Sequence, residues 1–285
     1  MAQNLQAIKK RIRTSQSISQ IAKAMEMIAA SKIRRAEQAV ERYKPYALKV
    51  TDIVQRILAD KDTMEDEIVL RFTADRPGKK AIFIIGPDKG LCGGLVVNLF
   101  KEVLGYMNPE DVVISVGKKC INSSIRYGFN MAHSFVMGSA FPDHDKIFPL
   151  IAIARSLVFS GHVTKVAIVY TRFKNMLVQT PVVEEILPIK RDEQFVDNGI
   201  DYIMEPSVPQ VLRDMIPYYF EVEFYNALMN AYASEQAARM AAMSNARDNA
   251  DEISASLTNI YNRSRQEKIT NEILDLANGQ QGMQK

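Results

Sequence analysis

The sequence predicts an α/β protein: a central open, mainly parallel sheet domain with helices, plus a long antiparallel coiled coil formed by the N- and C-terminal helices. Three observations support this prediction. Glycine and proline are absent before Pro45 and between Tyr218 and Asn278. Apolar residues recur at steps of three and four within both of these stretches. Strand-like and helix-like runs alternate in the chain between them.

The first predicted helix carries a heptad-like apolar stripe, which is typical of a helix that packs along another helix. Its first part is formed by Ile18, Ile21, Met25 and Ile28. After a slip, the stripe continues through Ile33, Ala36, Val40, Tyr43, Ala47, Val50, Val54 and Ile57. Because the pattern runs past Pro45, we expect a bend there rather than a stop.

The last predicted helix repeats this pattern with Ala246, Ala250, Ile253, Leu257 and Ile260, then Ile269, Ile273 and Leu276. At about 1.5 Å per residue the two helices reach roughly 85 and 105 Å, so they are expected to pair and project. Antiparallel pairing from level ends places Met1 beside roughly Arg265. Residues 266–285 then extend without intramolecular cover, which favours a partner at this end.

The middle of the chain alternates strands and helices, as expected for an open sheet with one hairpin at its end. Predicted strands span 81–86, 111–117, 163–173 and 180–189, and predicted helices span about 94–107, 118–127 and 145–160. The predicted domains are therefore an N-terminal coiled-coil helix (1–58), an α/β domain (59–205) and a C-terminal coiled-coil helix (206–285).

Composition narrows the function classes. The net charge is only +3, but residues 1–44 hold ten basic and three acidic side chains, and such a helix favours acidic partners. Cys92 and Cys120 have no metal-ligand spacing, which favours a reducing compartment. The N-terminus lacks the pattern of a secretory signal, and no apolar window reaches the roughly 18 residues of a membrane span.

The stretch "AIFIIGPDKGLCGGL" (81–95) has the strand, glycine loop and helix order of a phosphate site. A Walker-type loop needs a lysine and a hydroxyl after its last glycine, but here Lys89 precedes Gly90 and Leu95 follows the last glycine. A dinucleotide loop needs G-x-G-x-x-G and an acidic residue after the second strand, where Lys118 and Lys119 stand instead. We interpret the loop as a structural turn and predict no cofactor.

Three function classes remain open at this stage. An enzyme acting through the α/β middle is disfavoured, because no acid–base pair or nucleophile arrangement is recognisable and His144 in "PDHD" resembles a solvated turn more than a metal site. A nucleic-acid binder is disfavoured because basic helices that bind DNA usually carry basic side chains on most faces, whereas one face of this helix is an apolar stripe suited to a partner helix. A mechanical element, with a coiled-coil shaft on a globular head, fits composition and pattern best.

Four stretches resemble the gamma subunits of rotary ATP synthases: "QIAKAMEMIAASKIRRAE" (20–37), "DKGLCGGL" (88–95), "ASEQAARMAAMSNARDNADE" (233–252) and "YNRSRQEKITNEILDLANG" (261–279). The resemblance follows the whole chain in order. It implies the central-stalk rotor subunit of a proton-translocating ATP synthase, whose coiled coil turns inside a ring of three alpha and three beta subunits. The gamma subunit of this family is itself non-catalytic.

The resemblance also implies partners and a location. The α/β domain is expected to lie on the membrane c-ring and against the epsilon subunit, without membrane insertion and without nucleic acid. The length and the N-terminal residues suggest a bacterial type, peripheral to the cytoplasmic face of the cell membrane.

The family pattern assigns rotor–stator contacts residue by residue. Met25 matches the methionine whose neighbourhood governs coupling, and a basic group is expected to follow an acidic loop of beta: Lys23, Lys32, Arg34 and Arg35. Polar positions of the C-terminal helix that contact beta, or support that contact, are matched by Glu235, Arg239, Arg265, Gln266, Thr270 and Glu272. The chain departs from the family where Val96 and Val97 precede Asn98, and it lacks the disulfide insert of photosynthetic members.

Overall fold

The computed structural model describes residues 2–59, 67–138, 140–190 and 202–283, with side chains at all of these except 2–4, 59, 68 and 275–283. The chain forms two compact units. The terminal unit comprises Met1–Ala29 and Met240–Lys285, and the central unit comprises Ala30–Arg239.

The elements follow the predicted order. The helices are α1 (Ala2–Ala59), α2 (Glu67–Thr73), α3 (Leu95–Tyr106), α4 (Lys118–Tyr127), α5 (Phe148–Phe159) and α6 (Val208–Met283). The strands are β1 (Lys80–Ile85), β2 (Val112–Val116), β3 (Met131–Phe135), β4 (Lys165–Phe173) and β5 (Gln179–Leu187). A short 3-10 helix (His144–Ile147) leads into α5. Helix α1 runs through Pro45 without ending there.

The five strands form one sheet in the order β3-β2-β1-β4-β5. Strands β1, β2, β3 and β4 pair in parallel, and β5 pairs antiparallel with β4 through a hairpin. This confirms the predicted open sheet with a terminal hairpin, and the four predicted strands agree with the observed ones to within two residues.

The sheet has two buried faces because side chains alternate along each strand. Phe83, Ile85 and Tyr170 belong to the larger cluster, which includes residues of α1, α5 and α6. Ile82 and Ile84 belong to a smaller cluster with residues of α3. Helices therefore cover both faces, as is typical of parallel sheets.

Two elements were missed by the sequence prediction. Strand β3 is an edge strand whose three central residues are exposed, so it lacks the apolar signal of the other strands. Helix α2 has only seven residues, too few for a periodic pattern to stand out. Both lie in stretches that the prediction left without secondary structure.

The second half of the predicted N-terminal stripe is confirmed within the central unit. Ile33, Ala36, Val54 and Ile57 are at most 1% exposed, and Val50 is also buried. The steps of three and four keep these residues on one face of α1. Val50, Val54 and Ile57 pack into the larger core cluster, and Ala36 belongs to a separate cluster with Tyr232 and Ala233 of α6.

Gly117, at the end of β2, is expected to tolerate no side chain. Its φ of 99° is unfavourable for other residues, and an added Cβ would overlap the Gly86 carbonyl, whose carbon would lie 2.8 Å away. We expect Gly117→Ala to lower the free energy of unfolding by about 3 kcal/mol, as measured by urea denaturation. Gly105→Ala is the control: its Cβ meets no atom within 4 Å in α3, so equal losses in both variants would contradict this account.

Candidate functional site

In the terminal unit, α1 and α6 pair along a seam of mostly small side chains. Ile8, Ser15, Ala22 and Ala29 are buried at intervals of seven residues on α1. On α6, Met243, Ala250 and Leu257 are buried at the same interval. Heptad spacing of this kind defines the contact face of a two-helix coiled coil.

The pairing is antiparallel, and its register agrees with the sequence prediction to within one residue. The Ser15 hydroxyl donates to the Ala250 carbonyl at 2.7 Å, where the predicted register places residue 251 opposite. Arg247 Nη1 donates to the Glu26 carboxylate at 2.6 Å and adds an ion pair beside the seam. Ser15 and Arg247 are functional candidates that the sequence analysis missed.

The first half of the predicted N-terminal stripe was wrong. Ile18, Ile21 and Ile28 are 49%, 61% and 56% exposed, and Met25 is only partly buried. The seam instead uses Ser15, Ala22 and Ala29. Small side chains let the two helices approach closely, so the larger isoleucines are left on the outside of the pair.

Helix α6 shows the same inversion. Ala250 and Leu257 of the predicted stripe are buried, whereas Ile253 and Ile260 are about half exposed. Both helices of the terminal unit therefore carry large apolar side chains on their outer surface. A surface of this kind marks an interaction site, because exposed apolar area is unfavourable in water.

No residue of α6 from Tyr261 to Leu274 is buried. Ile269, Ile273 and Leu274 are exposed, as the predicted overhang requires; the side chain of Leu276 lies outside the described residues. The four predicted contact residues here are all exposed: Arg265, Gln266, Thr270 and Glu272. Thr270 Oγ1 donates to the Gln266 carbonyl at 3.0 Å, and Lys268 pairs with Glu272 at 3.4 Å.

The basic residues predicted on α1 fall in both units. Lys23 of the terminal unit is exposed, as are Arg34 and Arg35 of the central unit. The Arg35 guanidinium lies 4.7 Å from the centroid of the Phe141 ring. Lys32 is partly buried and is close enough to Glu235 to lower the pKa of that carboxyl.

Glu235 and Arg239 form a buried network inside the central unit. Arg239 Nη2 donates to Glu235 at 2.6 Å and to the Gly90 carbonyl at 3.3 Å, and Nη1 donates to Gln236 at 3.0 Å. Burial raises the pKa of Glu235, and the charge of Arg239 partly opposes this shift. The pair therefore joins α6 to the glycine loop, and its contact with beta stays a prediction.

Two further side chains of α6 bond to the backbone at the end of β4. Ser234, which is fully buried, donates to the Thr171 carbonyl at 2.8 Å. The Asn230 Oδ1 accepts from the Phe173 amide at 3.3 Å. With Arg239, these residues define the α6–sheet attachment: Asn230, Ser234 and Arg239. In the sequence, these residues stand out only as polar positions within the apolar, alanine-rich pattern of this helix.

The glycine loop uses its polar groups within the chain, as expected for a structural turn. The Asp88 carboxylate accepts hydrogen bonds from the Lys118 and Gly138 amides, and the Pro87 carbonyl accepts from the Lys119 amide. Val96 and Val97 lie in the first turn of α3.

His144 does not lie in a solvated turn as predicted. Its Nε2 is 3.1 Å from the Glu221 carboxylate, and its ring packs 5.2 Å from Tyr225. Its position in the 3-10 helix brings it against α6, a contact that the local sequence does not show. Among the described residues, no cluster of three potential metal ligands occurs, and no helix is long and apolar enough to cross a membrane.

Comparisons with known proteins agree with this architecture. A family model described as ATP synthase matches residues 4–283. The ATP synthase gamma chain of Dehalococcoides mccartyi (strain CBDB1) is 38% identical over 280 residues, which cover 97% of this chain and 98% of the relative. That of Moorella thermoacetica is 37% identical over 283 residues, again covering 97% and 98%.

Solved structures show the same fold at lower identity. A chain in the Euglena gracilis mitochondrial ATP synthase (OSCP/F1/c-ring, rotational state 3) matches with a TM-score of 0.70 and 17% identity, covering 99% of this chain and 95% of that one. A chain in the Tetrahymena thermophila central stalk/c-ring structure matches with a TM-score of 0.59 and 24% identity, covering 79% and 99%. On the extent of the family match and the identity to its relatives, the chain belongs to the ATP synthase gamma chains.

Proposed function

We propose that this chain is the central-stalk rotor subunit of a proton-translocating ATP synthase, and that it transmits rotation to the catalytic beta subunits. The observation that carries the proposal is the terminal unit. Its two helices pair through small residues and leave isoleucines outside, which suits a shaft that is held by surrounding subunits. Apolar contacts suit such a shaft because they do not depend on one fixed orientation.

The proposed partners follow from the family. Three alpha and three beta subunits surround the coiled coil, and the epsilon subunit and the membrane c-ring contact the α/β domain. The similar solved structures are of rotor, central stalk and c-ring assemblies. The chain itself is proposed to be non-catalytic and to lie at the cytoplasmic face of a bacterial membrane, with domains at 1–58, 59–205 and 206–285.

The proposed rotor–stator residues are two groups of polar and charged side chains, Met25, and one supporting pair. Lys23, Arg34 and Arg35 are exposed cations, and together with Lys32 they suit an acidic loop of beta, because Coulomb energies change gradually with distance. Arg265, Gln266, Thr270 and Glu272 are exposed polar groups beside the apolar end of α6. Met25 adds an apolar contact, and Glu235 and Arg239 act by holding α6 to the glycine loop.

The test is ATP hydrolysis by cognate alpha and beta subunits with and without this chain, beside the chain alone, followed by size exclusion. We expect the chain alone to be inactive, and to join the hexamer as a single copy and change its turnover. Turnover by the chain alone would contradict the non-catalytic assignment. Failure to join the hexamer would overturn the rotor assignment.

A triple variant tests the outer isoleucines directly. Ile18→Ser, Ile21→Ser and Ile28→Ser remove exposed side chains, so the stability of the isolated chain should hardly change. Binding to the hexamer should weaken by about tenfold or more, because apolar contacts to the partner are lost. Ile125→Ser, an exposed isoleucine of α4, is the control. Unchanged binding of the triple variant would contradict the proposed surface.

A further inference from the structure

The β4–β5 hairpin ends in a loop whose side chains are unusually apolar. The loop spans residues 174–178, between the last paired residues of the two strands, and we call it the hairpin tip. Turn positions are usually taken by glycine, proline or small polar residues. In the hairpin tip, Met176, Leu177 and Val178 are instead 40%, 90% and 46% exposed. Such a row of exposed apolar side chains favours contact with a partner.

The hairpin tip is held in one conformation by its own hydrogen bonds. The Asn175 Oδ1 accepts from the amides of Leu177 and Val178 at 2.9 and 2.8 Å. The Gln179 Nε2 donates to the carbonyls of Asn175 and Met176 at 3.1 and 3.0 Å. A loop that is already ordered loses little conformational entropy when it binds. Leu177 is therefore presented to a partner as a fixed apolar anchor.

The strand that leads into the hairpin tip is fastened to helix α6. The Phe173 amide, directly before the tip, donates to Asn230 at 3.3 Å, and the Thr171 carbonyl accepts from the Ser234 hydroxyl at 2.8 Å. Both of these α6 residues belong to the α6–sheet attachment, and beyond Arg239 the helix is part of the terminal unit. A force on the hairpin tip is therefore passed directly to α6.

The hairpin tip lies at a basic end of the sheet. Strands β1, β2 and β4 are parallel, so the segments that follow them meet at the same edge. These segments carry exposed lysines, which are Lys89, Lys118, Lys119 and Lys174. Within the part of the chain that is described, no carboxylate pairs with any of them, and Asp88 accepts from two backbone amides instead. The charge of this end favours a partner with an acidic surface.

We propose that the hairpin tip docks on the surrounding ring of alpha and beta subunits, where Leu177 enters an apolar pocket and Lys174 meets a carboxylate beside it. This inference rests on the proposed function, in which the ring encloses the coiled coil that α6 helps to form. Met176 and Val178 flank the anchor and exclude water from the contact. A second copy of this chain is disfavoured as the partner, because its tip carries the same positive charge.

A docked hairpin tip differs from the orientation-independent contacts proposed for the coiled coil. A gap of about 0.5–1 Å already forfeits roughly a quarter to a half of the dispersion energy between two atoms, so a side chain in a pocket depends strongly on its position. A ring of three alpha and three beta subunits offers one tip three equivalent pockets. The contact therefore resists rotation of the chain away from each of these positions.

The first test identifies what the hairpin tip touches. Leu177 is replaced by the photo-crosslinking amino acid p-benzoylphenylalanine, and the full chain is assembled into the complete cognate synthase before illumination. We expect a crosslink to alpha or beta, identified by mass spectrometry. A crosslink to epsilon, to the c-ring or to a second copy of this chain overturns the proposal, and so does the absence of any crosslink. The control carries the same residue at Leu104, an exposed leucine of α3; equal crosslinking to the ring from both positions also overturns it.

The second test measures the affinity of the chain for the alpha–beta hexamer. Leu177→Ser should weaken binding by about tenfold, as expected when an apolar side chain is lost from a pocket, whereas Leu104→Ser should leave binding unchanged. Lys174→Glu should weaken binding more than Lys174→Gln, and this difference should shrink as the salt concentration rises. Circular dichroism of the isolated variants checks that each keeps its fold.

Failure of this docking site and failure of the rotor assignment give different results. If the unmodified chain does not join the hexamer, the rotor assignment fails and the docking site fails with it. If the unmodified chain joins the hexamer and Leu177→Ser binds as tightly, only the docking site is overturned.

Discussion

Deleting residues 266–285 is expected to leave the central unit folded and to abolish most of the coupling between rotation and ATP synthesis. None of the deleted residues belongs to the central unit. The deletion removes Gln266, Thr270 and Glu272 together with the exposed Ile269 and Ile273. If this end is the part of the shaft that the alpha and beta subunits hold, its loss frees the shaft at its far end.

The measurement is ATP-driven proton pumping and ATP synthesis in reconstituted vesicles, beside circular dichroism of the isolated chain. We expect coupled activity to fall by about tenfold or more, on the scale of several lost interface side chains. A full-length variant with Ile269→Ser, Ile273→Ser and Leu274→Ser separates apolar contact from helix length. Unchanged coupling in the truncation would contradict the proposed role of this end.

Replacing Arg239 by Met is expected to destabilise the central unit by about 3 kcal/mol, because it leaves the buried Glu235 without its cation. The Gly90 carbonyl also loses its donor, so the glycine loop loses its bond to α6. Hydrogen exchange of the amides in the loop at 88–93 should accelerate more than that of the sheet strands. Urea unfolding followed by circular dichroism measures the global loss.

A double-mutant cycle shows whether the loss comes from the ion pair. Glu235→Gln removes the charge that Arg239 balances, so we expect the double variant to recover part of the stability that Arg239→Met loses. Arg239→Lys is the conservative control, since it keeps the charge but not the fork that reaches Glu235 and Gly90 together. Purely additive effects would show that the pair is not coupled.

The same variant predicts a pH dependence with a defined sign. Burial already raises the pKa of Glu235, and Arg239 opposes this shift, so its removal should raise the pKa further. A carboxyl whose folded pKa lies above the unfolded value of about 4.3 costs stability as the pH rises from the unfolded to the folded pKa. Arg239→Met should therefore be less destabilising at low pH than at neutral pH.

The hairpin-terminated parallel sheet was predictable because each of its central strands is a short apolar run bounded by turn residues. β1 and β4 show this clearly, since both are buried on two faces. The edge strand β3 was not predictable, because its exposed side chains carry no apolar signal. An edge strand depends on backbone pairing with its neighbour more than on the burial of its own side chains.

The predicted contact residues also include some whose surroundings were predictable from the sequence and some whose surroundings were not. Exposure of Arg265 and Gln266 follows from their place beyond the seam, so the sequence register already predicts it. The burial of Arg239 does not follow from its own helix. Its partner, the Gly90 carbonyl, lies 149 positions away in the chain. The sequence of α6 alone would place the Arg239 guanidinium in solvent, and only the packing of α6 in the folded domain brings this carbonyl to it.

By itself, the sequence determined that two long helices lie at the two ends of the chain, because long stretches there lack glycine and proline, and it determined their antiparallel register to within one residue. Tertiary structure decided which apolar face of each helix is the seam. An isoleucine in a helix predicts burial, but it does not show whether the burying surface is the chain's other helix or another protein. Ala22, Ala29 and Ala250 have small side chains, so they allow the backbones of α1 and α6 to lie close together. Close approach of the chain's own helices therefore selected the small residues and left Ile18, Ile21 and Ile28 outside.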